Sequence, residues 1–414
     1  LNNPEINYYR NEVVGKTGLE VKYNEYLRGI PGVRTVLVNR KEVVTKESKN
    51  IKAIAGNNLI TNIDSKLQAG AEKALEGAVK RARASGYKAD SGAAVVLEIK
   101  TGRVLAMASY PSYDPTIWQK GLTVKQAEDL FSEAKGVPAL SRPLQGLFAP
   151  ASTFKSVSVL AAANAGYSLD AKYNCPASVE IGNRTFNNFD SVAAGRLSLD
   201  VGIAISCDSL WYQIAYDQWV RDGGLRPKSN ANDHFFNAAK AFGIGKTTGI
   251  DLPSELSGRL ANRQWKQNWY DQNKDFYCNY KQRAKKSDLT PYLIEIAREN
   301  CLDGNKVRAG DAVNFSIGQG DTLVTPIRLA EIYAAIANNG TYYRPQVARA
   351  VVDADGKVIK EFKPVVSDTV KAEQSTWDFL HRALRMVVTR GTGAGAFSGF
   401  PVAISGKTGT AQVF

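Results

Sequence analysis

The spacing of apolar residues along the chain predicts a mixture of helices and strands. Apolar positions three and four residues apart predict a helix capped by Asp64 and closed by Ser85-Gly86. Similar spacing predicts further helices at 124–135, 153–165, 199–205, 210–219, 326–338 and 376–388. Short apolar or alternating runs predict strands at 33–38, 42–45 and 402–405, and a hairpin at 93–99 and 103–108.

The pattern changes near residue 88, which divides the chain into two predicted domains, 1–88 and 89–414. Residues 262–305 are polar, aromatic and basic, and we interpret them as an insertion. The sequence contains no run of about 20 apolar residues that would span a bilayer. Because the chain opens at Leu1 without a starting Met, we expect it to be part of a longer protein.

Composition narrows the candidate chemistry. The chain is 44% hydrophobic and 22% charged, which is typical of a globular protein. Two histidines, His234 and His381, and four cysteines provide no zinc ligand set. Both histidines lie in helical-looking sequence away from any nucleophile motif, so a catalytic base would be a lysine or a carboxylate. We predict neither a metal nor a cofactor.

The net charge of +13 indicates either an anionic partner or a surface adapted for solubility. The anionic candidates are nucleic acid, a membrane face and a wall polymer. Single-strand nucleic-acid readers interleave basic and aromatic residues, and the chain has no such run, so we do not expect it to bind nucleic acid.

The pattern Ser-x-x-Lys occurs more than once, as at Ser132 and at Ser152. In a helix, a lysine one turn after a serine lies on the same face, and burial lowers the pKa of its amine so that it can act as a base. The helix after Ser152 is apolar nearly all round, whereas the segment after Ser132 is short, charged and closed by Gly136. We therefore predict that Ser152 and Lys155 carry the chemistry and that Ser132 ends a surface helix.

Lys-Thr-Gly at 100–102 joins two predicted strands and is interpreted as a turn. Lys-Thr-Gly-Thr at 407–410 follows the strand predicted at 402–405. If that strand continues, Lys407 and Gly409 share a face, and a glycine lets a substrate lie against the backbone. A phosphate-binding loop would need glycine where the chain has Pro401, so a nucleotide site is excluded here.

Ser206-Cys207-Asp208 lies between two predicted helices, and between the other two motifs in chain order. The ordered set Ser-x-x-Lys, Ser-x-Asp, Lys-Thr-Gly resembles the signature of penicillin-recognising serine enzymes. The chain is similar to class B penicillin-binding proteins over nearly its whole length, most clearly at 18–20, 140–155, 242–253, 316–326 and 406–414. It resembles the elongation-type members most, with the division-type members as the close alternative.

This resemblance implies an α+β fold. A transpeptidase domain of the penicillin-binding-protein and serine β-lactamase type, an antiparallel sheet with a helical subdomain, would occupy 89–414. A smaller pedestal domain of the dimerisation type, ending in a linker helix, would occupy 1–88. The family places further strands after the Lys-Thr-Gly strand, so we expect the protein to continue beyond Phe414, and 1–60 looks too short for a complete pedestal.

The resemblance also implies the chemistry. Ser152 would attack the D-Ala–D-Ala carbonyl of a peptidoglycan stem peptide, release the last D-Ala and form an acyl-enzyme. Lys155 would take the serine proton, and Ser206 would relay a proton to the leaving amine. Backbone N–H groups of Ser152 and Thr410 would form the oxyanion hole, and Asp208 would be structural or orienting. The predicted substrate- and antibiotic-binding residues are Asp208, Lys407, Thr408, Gly409 and Thr410.

The implied ligands are stem peptides and β-lactams, and the implied partner is the membrane glycan polymerase of the elongation machinery. The protein would lie on the extracytoplasmic face of the bacterial cytoplasmic membrane, anchored by an amino-terminal helix outside this sequence. An exported protein could pair Cys278 with Cys301, whereas we assign no chemistry to Cys175 or Cys207. The alternative functions are a division-type transpeptidase, a serine β-lactamase, and a non-catalytic wall-synthesis scaffold or antibiotic sensor.

Overall fold

The structure is a computed structural model that describes residues 13–118, 121–284 and 290–412. Residues 1–12 of the predicted pedestal and 413–414 of the terminal motif lie outside the described residues. The helices are α1 Gly18–Lys22, α2 Asn24–Leu27, α3 Ser65–Ala84, α4 Val124–Phe131, α5 Arg142–Gln145, α6 Lys155–Asn164, α7 Leu199–Ala204, α8 Ser209–Arg221, α9 His234–Ala241, α10 Arg263–Cys278, α11 Tyr280–Ala284, α12 Pro291–Asp303, α13 Ala309–Ser316, α14 Pro326–Ala337 and α15 Gln374–Arg390. The strands are β1 Val33–Val38, β2 Val44–Ile51, β3 Asn58–Thr61, β4 Gly92–Leu97, β5 Val104–Tyr110, β6 Lys172–Cys175, β7 Ser178–Ile181, β8 Arg184–Asn187, β9 Gly195–Ser198, β10 Thr341–Tyr343, β11 Ala348–Val352, β12 Val358–Glu361 and β13 Val366–Thr369.

Most of the elements predicted from apolar spacing are confirmed. Helix α3 begins after Asp64, whose carboxylate accepts hydrogen bonds from the N–H groups of Lys66 and Leu67, and α14 begins with Pro326. Strands β4 and β5 form the predicted antiparallel hairpin. Helix α4 stops at Phe131, and Ser132 leads into a short 3₁₀ turn instead of continuing the helix. The strands β6 to β9 were not predicted from the sequence.

The chain forms two compact units. The first comprises Leu1–Gln145, Thr248–Glu255 and Tyr343–Ser367. It contains the antiparallel pair β1–β2, the hairpin β4–β5 and the three-stranded sheet β12-β11-β3. Because β3 and β11 are far apart in sequence, this sheet joins the amino-terminal part of the unit to a late segment of the chain. The predicted domain boundary near residue 88 stays a prediction.

Asp251 connects three segments of the first unit. Its carboxylate accepts hydrogen bonds from the Tyr23 hydroxyl at 2.6 Å and from the backbone N–H groups of Val347 and Ala348 at 2.7 and 2.8 Å. Burial, followed by the hydrogen bond to Asp251, raises the pKa of the Tyr23 hydroxyl well above its usual range, so this hydroxyl stays a donor.

The second unit comprises Gly146–Thr247, Leu256–Tyr342 and Asp368–Phe414. Its hydrophobic core is built around α6, α8, α14 and α15, and includes Phe154, Trp211, Phe242 and Leu380. Helix α6 is buried over most of its length, as its nearly uniform apolar sequence predicts. Two antiparallel pairs, β6–β9 and β7–β8, precede α7 and α8. The predicted insertion is largely helical and contains α10, α11 and α12.

The strand predicted at 402–405 is wrong, because this segment has no regular secondary structure. A strand needs a neighbour to accept and donate its backbone hydrogen bonds, and none of the described strands pairs with it. Individual hydrogen bonds to α15 hold the segment instead. The Gly406 N–H donates to the Leu384 carbonyl at 3.1 Å, and Arg385 Nη1 donates to the Ile404 carbonyl at 2.6 Å.

Candidate active site

The candidate nucleophile lies on a tight turn at the start of α6. Ser152 belongs to the 3₁₀ turn Ala151–Phe154, which leads directly into the helix, and its side chain is partly exposed. Ala151 adopts a φ of 50°, a left-handed conformation that is uncommon for a residue with a Cβ. Its N–H donates to the Gly318 carbonyl at 2.9 Å. The turn is therefore held in place by the segment around Gly318.

Gly318 permits this close approach because it lacks a side chain. A Cβ at this position would lie 2.4 Å from the Ala151 carbonyl oxygen and 2.6 Å from the Phe154 Cβ. Two further hydrogen bonds support the region. The Tyr333 hydroxyl donates to the Thr153 carbonyl at 2.9 Å, and the Ser158 hydroxyl donates to the Ser316 carbonyl at 2.6 Å. Segments far apart in sequence thus fix the backbone around Ser152.

Lys155 is fully buried, with a relative exposure of 0%. Its ammonium nitrogen donates to the Ser206 carbonyl at 2.7 Å, to Ser206 Oγ at 3.1 Å and to Asp208 Oδ1 at 2.5 Å. Burial lowers the pKa of Lys155 below its usual range, and the Asp208 carboxylate opposes that change. A buried amine with a lowered pKa is suited to accept a proton.

Lys407 approaches the same hydroxyl from the terminal segment. Its ammonium nitrogen donates to Ser206 Oγ at 2.9 Å and to the Thr408 carbonyl at 3.1 Å. Burial lowers the pKa of Lys407 to about 7, with a further decrease from the Lys155 charge and an opposing effect of Asp208. The pKa of Lys407 therefore depends on the charge state of the other groups in the site.

Ser206 is the point where the three motifs meet. Its Oγ lies within hydrogen-bond distance of both ammonium groups, and each of these groups is a donor. When both amines carry their protons, the hydroxyl accepts both hydrogen bonds and its own proton remains available to a third group. The Ser206 backbone has a φ of 61°, in the left-handed region. The structure thus joins Lys155, Ser206, Asp208 and Lys407 in one hydrogen-bonded cluster.

The terminal segment also packs against the turn that carries Ser152. A Cβ at Gly409 would lie 3.1 Å from Thr153 Cγ2 and 3.4 Å from the Pro150 carbonyl oxygen. Thr408 Oγ1 lies 2.6 Å from Thr392 Oγ1, and Thr410 is exposed. The absence of a side chain at position 409 therefore permits close packing against this turn. The predicted approach of a substrate to the Gly409 backbone stays a prediction.

In the part of the chain that the structure describes, the Ser152 hydroxyl makes no hydrogen bond. Lys155 lies one turn further along the chain and its amine is engaged by the second motif. Catalytic hydrogen bonds are often long or poorly aligned in unliganded enzymes and shorten in the complex with substrate. The roles assigned to the site residues, including the backbone oxyanion hole of Ser152 and Thr410, stay predictions.

Asn188 is a site residue that the sequence analysis missed. It is only 4% exposed, and its Oδ1 accepts hydrogen bonds from the backbone N–H groups of Asp208 and Ser209, both at 2.9 Å. The Phe189 N–H donates to Asp208 Oδ2 at 3.2 Å. No motif marks Asn188 in the sequence, since it lies on the loop after β8 and reaches the second motif only in the folded chain.

The structure contains two disulfides. Cys278 and Cys301 are joined across the insertion, as the sequence analysis proposed. Cys175 and Cys207 are also joined, so the assignment of no chemistry to these two residues is wrong. They are 32 residues apart in sequence, and nothing in the sequence around either cysteine indicates that they meet.

The other motif copies play no part in the cluster. Ser132 lies at the end of α4, and the Lys-Thr-Gly at 100–102 forms the turn between β4 and β5. Across 13–118, 121–284 and 290–412, no group of His, Cys, Asp and Glu side chains is arranged to hold a metal ion. No helix within those ranges is both long and apolar enough to cross a membrane.

Comparison with known proteins agrees with this geometry. The penicillin binding protein transpeptidase domain family matches residues 92–414, and the penicillin-binding protein dimerisation domain family matches residues 1–61. The chain is 28% identical to the peptidoglycan D,D-transpeptidase MrdA of Escherichia coli K12 over 417 aligned residues, which cover 99% of this chain and 56% of that protein. The chain thus spans about half the length of the curated relatives it matches.

Two solved structures extend the comparison. A chain from a peptidoglycan synthase complex, studied for the coordination of polymerization and crosslinking, has a TM-score of 0.76 and 30% identity, covering 98% of this chain and 62% of the other. Pseudomonas aeruginosa PBP2 in complex with WCK 5153 has a TM-score of 0.68 and 27% identity, covering 97% of this chain and 73% of the other. These matches confirm the predicted fold class and the class B resemblance. The chain belongs to the penicillin-binding protein transpeptidase family, in the class B arrangement that combines a dimerisation domain with a transpeptidase domain.

Proposed function

We propose that this chain is the crosslinking part of an elongation-type peptidoglycan D,D-transpeptidase and that Ser152 is its nucleophile. The observation that carries the proposal is the Ser206 hydroxyl, which lies 3.1 Å from the Lys155 amine and 2.9 Å from the Lys407 amine. This arrangement connects all three motifs, and it places a buried amine with a lowered pKa one helical turn after an accessible serine.

The proposed reaction has two halves. In the first, a bond forms between Ser152 Oγ and the carbonyl carbon of the penultimate D-Ala, and the serine proton passes to a neutral Lys155. The peptide C–N bond then breaks, and the terminal D-Ala leaves after its nitrogen receives a proton through Ser206. In the second half, an amine of another stem peptide attacks the ester carbonyl carbon and forms the crosslinking amide. The bond between this carbon and Ser152 Oγ breaks, and the amine's proton passes through Lys155 to Ser152 Oγ.

Lys407 has a different part in the proposal. Its ammonium group and the hydroxyls of Thr408 and Thr410 hold the terminal carboxylate of the stem peptide, or the equivalent carboxylate of a β-lactam. Its hydrogen bond to Ser206 Oγ also orients the hydroxyl that delivers the proton to the leaving nitrogen. Asp208 orients Lys155 through the 2.5 Å ion pair.

The proposal extends to partners and location. A similar chain forms part of a peptidoglycan synthase complex, and the P. aeruginosa relative binds WCK 5153. We propose that this protein binds β-lactams and works with a membrane glycan polymerase, on the extracytoplasmic face of the cytoplasmic membrane. The two disulfides agree with an exported protein. The dimerisation-domain match favours this function over a stand-alone β-lactamase.

Mass spectrometry after incubation with benzylpenicillin tests the assignment. We expect one penicilloyl adduct, located on the peptide that contains Ser152 and absent from a Ser152→Ala variant. Ser132→Ala is the matched control, because it removes the serine of another Ser-x-x-Lys copy, and it should be acylated like the wild type. An adduct elsewhere, or none on the folded wild-type protein, would refute the proposed site.

A further inference from the structure

The loop that carries Ser206 and Asp208 is crosslinked at the residue between them. Cys207 forms a disulfide with Cys175, the last residue of β6. The two cysteines are 2% and 1% exposed and belong to the hydrophobic core. The crosslink therefore joins the second catalytic motif to the strand pairs that precede α7.

The other end of the crosslink is itself well anchored. Strand β6 pairs with β9 in antiparallel register from Lys172↔Ser198 to Cys175↔Gly195. Helix α7 begins at the residue after β9 and ends two residues before Ser206. The disulfide thus closes a ring of chain that runs from β6 through β9 and α7 to the second motif.

The residues that follow Cys207 are hydrogen-bonded, directly or through Asn188, to the segment next to Cys175. Asn188 accepts from the backbone of Asp208 and Ser209, and its Nδ2 donates to the Pro176 carbonyl at 2.8 Å. The Ser209 hydroxyl also donates to the Pro176 carbonyl, at 2.7 Å. The two residues that follow Cys207 are therefore attached to the residue that follows Cys175.

This attachment matters because the motif backbone is in an unfavourable conformation. Ser206 has a left-handed φ of 61°, and residues with a Cβ keep such a conformation only where their surroundings enforce it. The hydrogen bonds from Lys155 and Lys407 to Ser206 Oγ measure 3.1 and 2.9 Å. A shift of the motif by about 1 Å would break both, and misplacements of that size can cost about 100-fold in rate.

We infer that the Cys175–Cys207 disulfide is a positioning element of the active site, which holds Ser206 and Asp208 in register with Lys155 and Lys407. The inference rests on the proposed function. Neither cysteine touches the reacting atoms. The crosslink acts by fixing the motif between α7 and α8, with Asn188 as the second, non-covalent attachment.

The chain offers a matched control, because its second disulfide lies outside the cluster. The cysteines of the two pairs are separated by 32 and 23 residues, so removal of either crosslink should lower stability by a similar amount. The experiment compares Cys175→Ser/Cys207→Ser with Cys278→Ser/Cys301→Ser in the whole chain. Benzylpenicillin acylation is followed as a function of drug concentration, under conditions where circular dichroism shows both variants folded.

We expect the acylation rate constant of the Cys175→Ser/Cys207→Ser variant to fall by about 10- to 100-fold. The half-saturating drug concentration should change little, because the carboxylate is held by the terminal segment. The Cys278→Ser/Cys301→Ser variant should keep the wild-type rate constant. A loss of stability alone would not produce this separation of rate from binding.

Equal rate constants in the wild type and the folded Cys175→Ser/Cys207→Ser variant would overturn the inference, as would an equal loss in both double variants. If the serine pair prevents folding, Cys175→Ala/Cys207→Val fills the same apolar space and gives the same comparison. A folded wild-type protein that is not acylated would refute the proposed function, and the inference with it. If the wild type is acylated and the Cys175→Ser/Cys207→Ser variant has the same acylation rate constant, only the positioning role is refuted.

Discussion

The ion pair between Lys155 and Asp208 provides the sharpest quantitative prediction. Asp208→Asn keeps the size of the side chain and removes its charge. Asp208 Oδ1 accepts from Lys155 at 2.5 Å, and Oδ2 accepts from the Phe189 N–H at 3.2 Å. Because asparagine has one acceptor oxygen, the variant leaves either the ammonium group or the Phe189 N–H facing an NH₂ group.

The loss of unfolding free energy in Asp208→Asn depends on pH. The direction of this dependence follows from the coupling between protonation of Lys155 and folding. Burial lowers the pKa of Lys155 and Asp208 opposes this change, so removal of the charge lowers the pKa of Lys155 further. Where Lys155 is protonated in both folded proteins, the variant should lose about 3–5 kcal/mol of unfolding free energy, the usual result of removing one partner of a buried ion pair. Where Lys155 is neutral in both, only the lost hydrogen bond remains, about 1 kcal/mol. The destabilisation should therefore be largest at acidic pH and decrease as the pH rises.

Urea unfolding and benzylpenicillin acylation from about pH 5 to about pH 9 test both parts of this prediction. Since the proposed mechanism requires neutral Lys155 for acylation, the acidic limb of the rate profile should move to lower pH in Asp208→Asn. Asp222→Asn is the control, because this buried carboxylate accepts hydrogen bonds from the backbone of Asn232 and Asp233 and not from a lysine. A destabilisation by Asp208→Asn that is independent of pH, with an unmoved acidic limb, would refute the reasoning.

Three further predictions follow from the same geometry. Because the pKa of Lys407 is lowered to about 7, the second-order acylation constant should decrease above that pH, and Lys407→Arg should flatten this alkaline limb in stopped-flow measurements since arginine keeps its charge. Gly318→Ala should slow acylation and lower stability by about 2 kcal/mol more than Gly320→Ala in urea unfolding. Both glycines have positive φ, but only the Cβ at 318 would meet the Ala151 backbone, at 2.4 Å, whereas the nearest atom to a Cβ at 320 lies 3.9 Å away. Tyr333→Phe should cost about 1 kcal/mol of unfolding free energy, because it removes a hydrogen bond to the Ser152 turn; an unchanged urea midpoint would contradict this.

The sequence predicts the parts of the site that depend on local spacing. Ser152 and Lys155 are one turn apart on a helix whose burial follows from its apolar composition, and α6 confirms that helix. The order of the three motifs also suggests that Ser206 and Lys407 belong to one site, and both amines do reach Ser206 Oγ. These conclusions needed only helical periodicity and a resemblance carried by short motifs.

The parts that the sequence does not predict depend on long-range contacts. Asn188 and Cys175 reach the second motif only because β6 pairs with β9 and returns the chain to it. The prediction of a strand at 402–405 is wrong because it used only the local apolar pattern. No described strand pairs with this segment. Periodicity reports which residues are buried, whereas pairing depends on a partner elsewhere in the chain.

The charge balance of the cluster indicates how substrate itself could prepare the base. The site brings two amines and one carboxylate together, and the charge of Lys155 lowers the pKa of Lys407. A substrate carboxylate beside Lys407 would raise the pKa of that amine and keep it protonated. The repulsion between the ammonium groups would then favour loss of the proton from Lys155, the lysine three residues after Ser152. In the proposed mechanism, binding of the anionic end of the stem peptide would thus convert Lys155 into the neutral base for acylation.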